Sequence, residues 1–198
     1  MSVEVTGKLY RSTWRNHMLK WEGCTKCSLH KNSIGKILVR GKLPCDVLFI
    51  GEAPTQLEDI CRQPFVGPPG KLLDKMIEDT GVLFRHAMTH VVACVPCGDE
   101  GETRPPTLHE AESCGDRLLE TLMMARAKGV VLLGRSAQGF SSDTLEKYKH
   151  PFKHLHLSHP AQVLRQGGEG TSLYKKEVRS LTAFVKRILR NERLPRTR

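Results

Sequence analysis

The chain has 198 residues, 39% of them hydrophobic and 26% charged, with a formal net charge of +10, a balance that excludes a disordered polar chain and predicts one domain over residues 1–198 with a single sizeable core. No stretch approaches the ~18 apolar residues of a membrane span and the first residues lack the apolar run of an export signal, so no membrane partner is expected. The expected location is the cytoplasm, or the host cytoplasm if the source is viral.

The first landmark is a polar turn holding Cys24-Thr25-Lys26-Cys27. The chain has seven cysteines, and in a cytosolic protein thiols stay reduced, so ligation of a metal is a better reading than a disulfide framework. A short apolar run over 47–50 reads as a buried strand. It empties into the loop 51–70, GEAPTQLEDICRQPFVGPPG, which concentrates Glu52, Glu58 and Asp59 around one aromatic residue, Phe65. A helix is predicted over 71–80, with Leu72, Leu73, Met76 and Ile77 on one face and Gly81 as its stop.

A second strand is predicted over 89–93, followed by Cys94 and Cys97. Thr107 and Glu110 have capping-box spacing, opening a helix that carries Cys114 and then Leu118, Leu119 and Leu122 inward. Strands over 130–133 and 154–157 flank a short helix, and the second delivers Ser158-His159-Pro160 to the same rim. The Gly-rich loop 167–170 precedes a long helix over 172–190, striped by Leu173, Val178, Leu181, Phe184, Val185 and Ile188. A basic tail follows from about residue 191. Its charge, with that of the last helix, suits a polyanion, nucleic acid above all; the alternative for the tail alone is a solvated end that aids solubility.

Strands alternating with helices predict a three-layer α/β/α sandwich around a short central parallel sheet, with ligands at the carboxyl ends of the strands. Spacing leaves two ligand sets open. Cys24, Cys27, Cys94 and Cys97 form the paired C-x-x-C pattern of a zinc site; Cys114 in place of Cys97 gives the wider spread of an iron–sulfur cluster. Cys45 and Cys61 read as buried thiols.

Taken together the segments resemble the iron–sulfur, family 4 branch of the uracil-DNA glycosylase superfamily, from about residue 14 to 190. GEAPTQLEDICRQPFVGPPGKLLD is similar to GEAPG-x-x-ED-x-x-G-x-PFVG-x-AG-x-LLD, THVVAC to TNVVKC, and SHPAQVLR to HP-A-x-LR; RPPTLHEAESC and VVLLGRSA fall between them in the same order. The resemblance implies a monofunctional glycosylase that flips a uracil or uracil-like base from DNA and hydrolyses its N-glycosidic bond, leaving an abasic site. It implies a [4Fe-4S] cluster on Cys24, Cys27, Cys94 and Cys114, with zinc on the Cys97 set as the alternative. It further implies catalytic roles for Glu52, Glu58 and His159, and base contacts from Ala53, Phe65 and His90. DNA contacts fall to Gln162 or Val163 as wedge and to Arg165 on phosphate, with Leu164 anchoring that segment in the core. A monomer acting on DNA with uracil or a modified pyrimidine is expected.

Three positions depart from the motifs. Thr55 stands for glycine, Pro69 for alanine, and His90 for an asparagine that reads the uracil edge. An imidazole offers its donor and acceptor at separate ring atoms, unlike an amide. The departures leave two competing readings: specificity changed toward a modified pyrimidine, or a catalytically silent nucleic-acid-binding protein.

Overall fold

The structure, a computed structural model, describes residues 14–98 and 101–190; the basic tail lies outside the described residues. Five strands form one sheet in the order β1-β3-β2-β4-β5: β1 (Arg40–Gly41), β2 (Val47–Gly51), β3 (His86–His90), β4 (Gly129–Leu133) and β5 (Lys153–Leu157). The four longer strands run parallel, as expected for the sandwich, while β1 is a two-residue antiparallel edge on β3.

Because successive side chains of a strand face opposite ways, the apolar runs feed two cores. Leu48, Ile50, Val130 and Leu132 pack with α4 (Leu108–Ser113), α5 (Gly115–Ala125) and α6 (Arg135–Lys147). Val47, Phe49, Val131 and Leu133 pack on the other face with α3 (Pro68–Asp79) and α8 (Ser172–Arg190). The remaining helices are α1 (Trp14–Glu22), α2 (Gln56–Cys61) and α7 (Pro160–Arg165), with a 3-10 turn at Ser28–Lys31. None of the described helices is long and apolar enough to cross a membrane.

Two boundaries differ from the sequence expectation. The strand expected over 89–93 occupies His86–His90, because β2 ends at Gly51, opposite His90, and residues beyond have no strand to pair with. The apolar run that follows is buried as loop, with Val91 N bonded to Gly51 O at 2.9 Å. Helix α3 begins three residues early, since Pro68 and Pro69 fill first-turn positions whose N–H groups need no partner. It stops before Gly81, at φ 60°, as predicted.

Candidate active site and cysteine cavity

The carboxyl ends of four strands put the chemistry on one rim. Glu52 follows β2, His90 closes β3, Gly134 follows β4 and His159 follows β5. Gly51 and His90 are register partners, and a Cβ on Gly51 would sit 2.6 Å from His90 Nδ1 and 2.7 Å from Phe65 Cζ, so only glycine leaves room for both rings.

Phe65 is the centre of this rim. Its backbone is left-handed, at φ 56°, a conformation unfavourable for a bulky side chain and found where surrounding structure enforces it. Two contacts do so. Phe65 N donates to Glu58 Oε1 at 2.5 Å, and the chain passes so close to Gly70 that a Cβ there would lie 1.8 Å from Phe65 O. The ring stacks on His90 with centroids 4.5 Å apart and an interplanar angle of 21°, and on His159 at 6.5 Å and 29°.

Glu58 is not a free acid. It is buried; Oε2 accepts from Thr55 N at 2.8 Å while Thr55 Oγ1 accepts from Glu58 N, a capping box for α2. The same Oε2 lies 3.2 Å from His90 Nε2, close but out of line for a hydrogen bond. Glu58, expected as a catalytic carboxylate, uses its lone pairs here to hold the helix start and the Phe65 backbone. Burial pushes its carboxyl up, but His90 and the backbone donors outweigh that and leave it below the ordinary value. Asp59 likewise accepts from Ile34 N and Gly35 N and ties the loop to the N-terminal segment. Thr55, a departure from the glycine of the motif, is what makes the cap possible.

Glu52 is the available carboxylate. It is half-buried, burial raises its pKa above the ordinary value, Ser136 opposes that rise, and Oε1 is buried with no partner. His159 caps α7: its Nδ1 accepts from Ala161 N at 3.2 Å, so the proton of the neutral ring sits on Nε2. Burial, with His90 adding to it, lowers its pKa to about 4. At neutral pH His159 is therefore an uncharged donor. Ala53 follows Glu52 in the chain and is half-buried against the core of Leu48 and Ile50.

Four cysteines, Cys24, Cys27, Cys94 and Cys114, line one cavity together with Trp21 and Arg117. Cys97 lines a different cavity beside Asp59 and Ile60, so the ligand set that substitutes Cys97 for Cys114 is not gathered. Burial pushes the Cys94 thiol up to about 11 and also raises Cys27. Cys45 is buried, as expected, but Cys61 is exposed at the end of α2. Among the described residues no group of three or more His, Cys, Asp and Glu side chains could hold a metal ion as it stands.

Residues 39–182 match the sequence family described as the uracil DNA glycosylase superfamily. The chain belongs to that superfamily. It is 33% identical over 159 residues to the type-4 uracil-DNA glycosylase of Archaeoglobus fulgidus, covering 71% of this chain and 78% of the relative. It is 28% identical over 177 residues to the type-4 uracil-DNA glycosylase of Thermotoga maritima, covering 83% and 90%.

Within this superfamily member, the segment expected to meet DNA is α7. Gln162 and Arg165 are exposed on it. Val163 is fully buried against Leu72, Met76 and Tyr174, which removes it as a wedge, whereas Leu164 is 36% exposed. Helical geometry explains the exchange: neighbouring positions on α7 face different ways, and Val163 is the one turned to the core. One buried cation escaped sequence reasoning altogether. Arg117 is fully buried and donates to Thr89 Oγ1, His90 O and Val91 O. Its only signal was a cation three residues after Cys114 on a largely apolar helix face that also carries Thr121.

Proposed function

We propose that this chain is a uracil-DNA glycosylase that receives a flipped base against Phe65 and hydrolyses its N-glycosidic bond. Extruding a base costs a few kcal/mol, which a stacking and hydrogen-bonding pocket offsets. The observation that carries the reading is the convergence at one rim of Phe65, His159 and a Glu52 carboxylate whose Oε1 has no partner.

The chemistry follows from the protonation states. As the C1′–N1 bond breaks, the sugar gains positive charge and the base leaves with the bonding electrons as an anion. His159 Nε2–H donates to the base oxygen, stabilising that charge without the acidity of an imidazolium, since a ring with a pKa of about 4 is neutral. Glu52, when ionised, stabilises the sugar cation and orients the water whose oxygen bonds to C1′. The water proton passes to solvent or to the departing base.

The cysteine cavity fits a [4Fe-4S] cluster held by Cys24, Cys27, Cys94 and Cys114. Four thiols and an orphaned Arg117 Nε donor share it, while a single zinc requires four sulfurs within about 2.3 Å of one point. When bound, such a cluster supplies structural cross-linking: it ties the turn after α1 to the end of β3 and to the α4–α5 junction.

A second reading, altered base specificity, is favoured by the Phe65–His90 stack. The His90 ring covers part of the aromatic face and presents Nδ1, buried and unpartnered, where an amide would offer two groups. Both readings are tested by incubating the protein with single- and double-stranded oligonucleotides carrying uracil or a panel of modified pyrimidines. Released base is identified by mass spectrometry, and strand scission is followed after alkali. Uracil release confirms the proposal, release of another pyrimidine alone supports the second reading, and no release at enzyme excess defeats both.

A further inference from the structure

Arg117 is among the largest fully buried side chains of the described residues, and it is a cation. Its Nη1 donates to Thr89 Oγ1 at 3.0 Å and its Nη2 to the carbonyls of His90 and Val91, both at 2.5 Å. These are neutral acceptors. No carboxylate pairs with Arg117 among the described residues, and Nε, itself buried, has no acceptor. An uncompensated buried charge costs several kcal/mol.

What lies beside the guanidinium is the cysteine cavity. Arg117 lines it, its side chain reaches Cys114, and Cys94 and Cys24 act on it electrostatically. The other basic groups on that wall, Lys26, Lys36 and His30, are placed differently. Lys26 is exposed and bonded to Asp116 at 2.8 Å, Lys36 is half-buried, and His30 Nδ1 contacts Cys27 O. Four thiolates around an iron–sulfur core carry net negative charge, and nearby charge and hydrogen bonds to sulfur set the potential of such centres.

We infer that Arg117 is the countercharge of the metal centre, and that through its bonds to the His90 and Val91 carbonyls it is also the positioning residue joining that centre to the base pocket. The inference rests on the cluster reading given above. It accounts for a cation with neutral partners on one side and an unpartnered donor on the other. It also makes a specific link: cluster loss leaves Arg117 without its anion, so the end of β3, and with it the His90 ring, shifts.

The test compares the intact protein with R117K, which keeps the charge, and with R117Q and R117M, which remove it while roughly keeping volume. Iron and acid-labile sulfide, the midpoint potential of the centre, its bleaching rate under a chelator, and KM and kcat for base release are measured on each. The expected result is a more negative potential and faster bleaching, on the order of 10- to 100-fold, in both charge-free variants. R117K is expected to keep the wild-type potential while raising KM through loss of the forked contacts. Wild-type potential and retention in R117Q or R117M overturn the inference, as does an R117K indistinguishable from R117Q. Wild-type protein with zinc or no iron overturns the cluster reading itself, before any variant is made.

Discussion

At the scale of single residues, the rim is arranged before DNA arrives. Phe65 is held left-handed by Glu58 and by the close pass at Gly70, which fixes the position of a ring that is buried and has His90 stacked on it. That Phe65, Glu52 and His159 share one rim was legible from their loops and order. It did not distinguish Glu58 from Glu52, because a capping carboxylate and a free one read alike until their partners are known. The difference predicts unequal mutants. H159A is expected to slow single-turnover base release by about 10²–10³-fold, while E58Q acts through a displaced Phe65 and raises KM more than it lowers kcat. The pH profile separates the two working groups. His159, with a pKa of about 4, stays a neutral donor from pH 5 to pH 8 and adds no inflection there. Glu52 loses charge as pH falls through a value raised above 4.5 by burial, so the rate drops on the acid side at that value. In E52Q that acid limb disappears along with most of the rate, a result read directly from single-turnover rates between pH 4.5 and 8.

At the scale of elements, capping signals were readable and strand ends were not. Thr107 and Glu110 close a capping box as spacing predicted; Thr55 and Glu58 close a second one, with the same three-residue separation, hidden inside a loop whose acids drew a catalytic reading. The apolar run from Val91 looks like strand, yet where pairing stops depends on β2, 40 residues earlier, and local pattern cannot carry that information. On α7 the error was one of phase: Val163 and Leu164 are equally apolar, and only the surrounding helices decide which is inside. V163A is expected to cost about 2 kcal/mol of stability by emptying the contact with Leu72, Met76 and Tyr174, measured by denaturant titration. L164A leaves stability nearly unchanged and weakens DNA binding, measured by anisotropy on an abasic duplex. The opposite ranking would return Val163 to the role of wedge.

At the scale of the whole molecule, two cores clasp the sheet and α1 is pinned across α5 through Glu120, which accepts from Trp21 Nε1 at 2.6 Å and pairs with Lys20 and the buried His17. Burial lowers the His17 pKa to about 4, as for His159. Both folded values lie below the ordinary 6.5, so the unfolded chain binds more protons between the two. Stability from these groups is complete above pH 6.5 and is lost as pH falls toward 4. The melting temperature is therefore expected to decline over that window at constant ionic strength, and H17Q to flatten part of the decline. The basic excess that suggested nucleic acid was legible from composition; which groups gather around the cysteines was not, since three distant segments meet there. That last feature has a consequence for biosynthesis. Cys24 and Cys27 emerge from the ribosome about ninety residues ahead of Cys114 and Arg117, so a half-made chain exposes two bare thiols with nothing to close over them, and any inorganic cargo delivered early has only half a cradle. On the cluster reading, loading waits for the second half of translation.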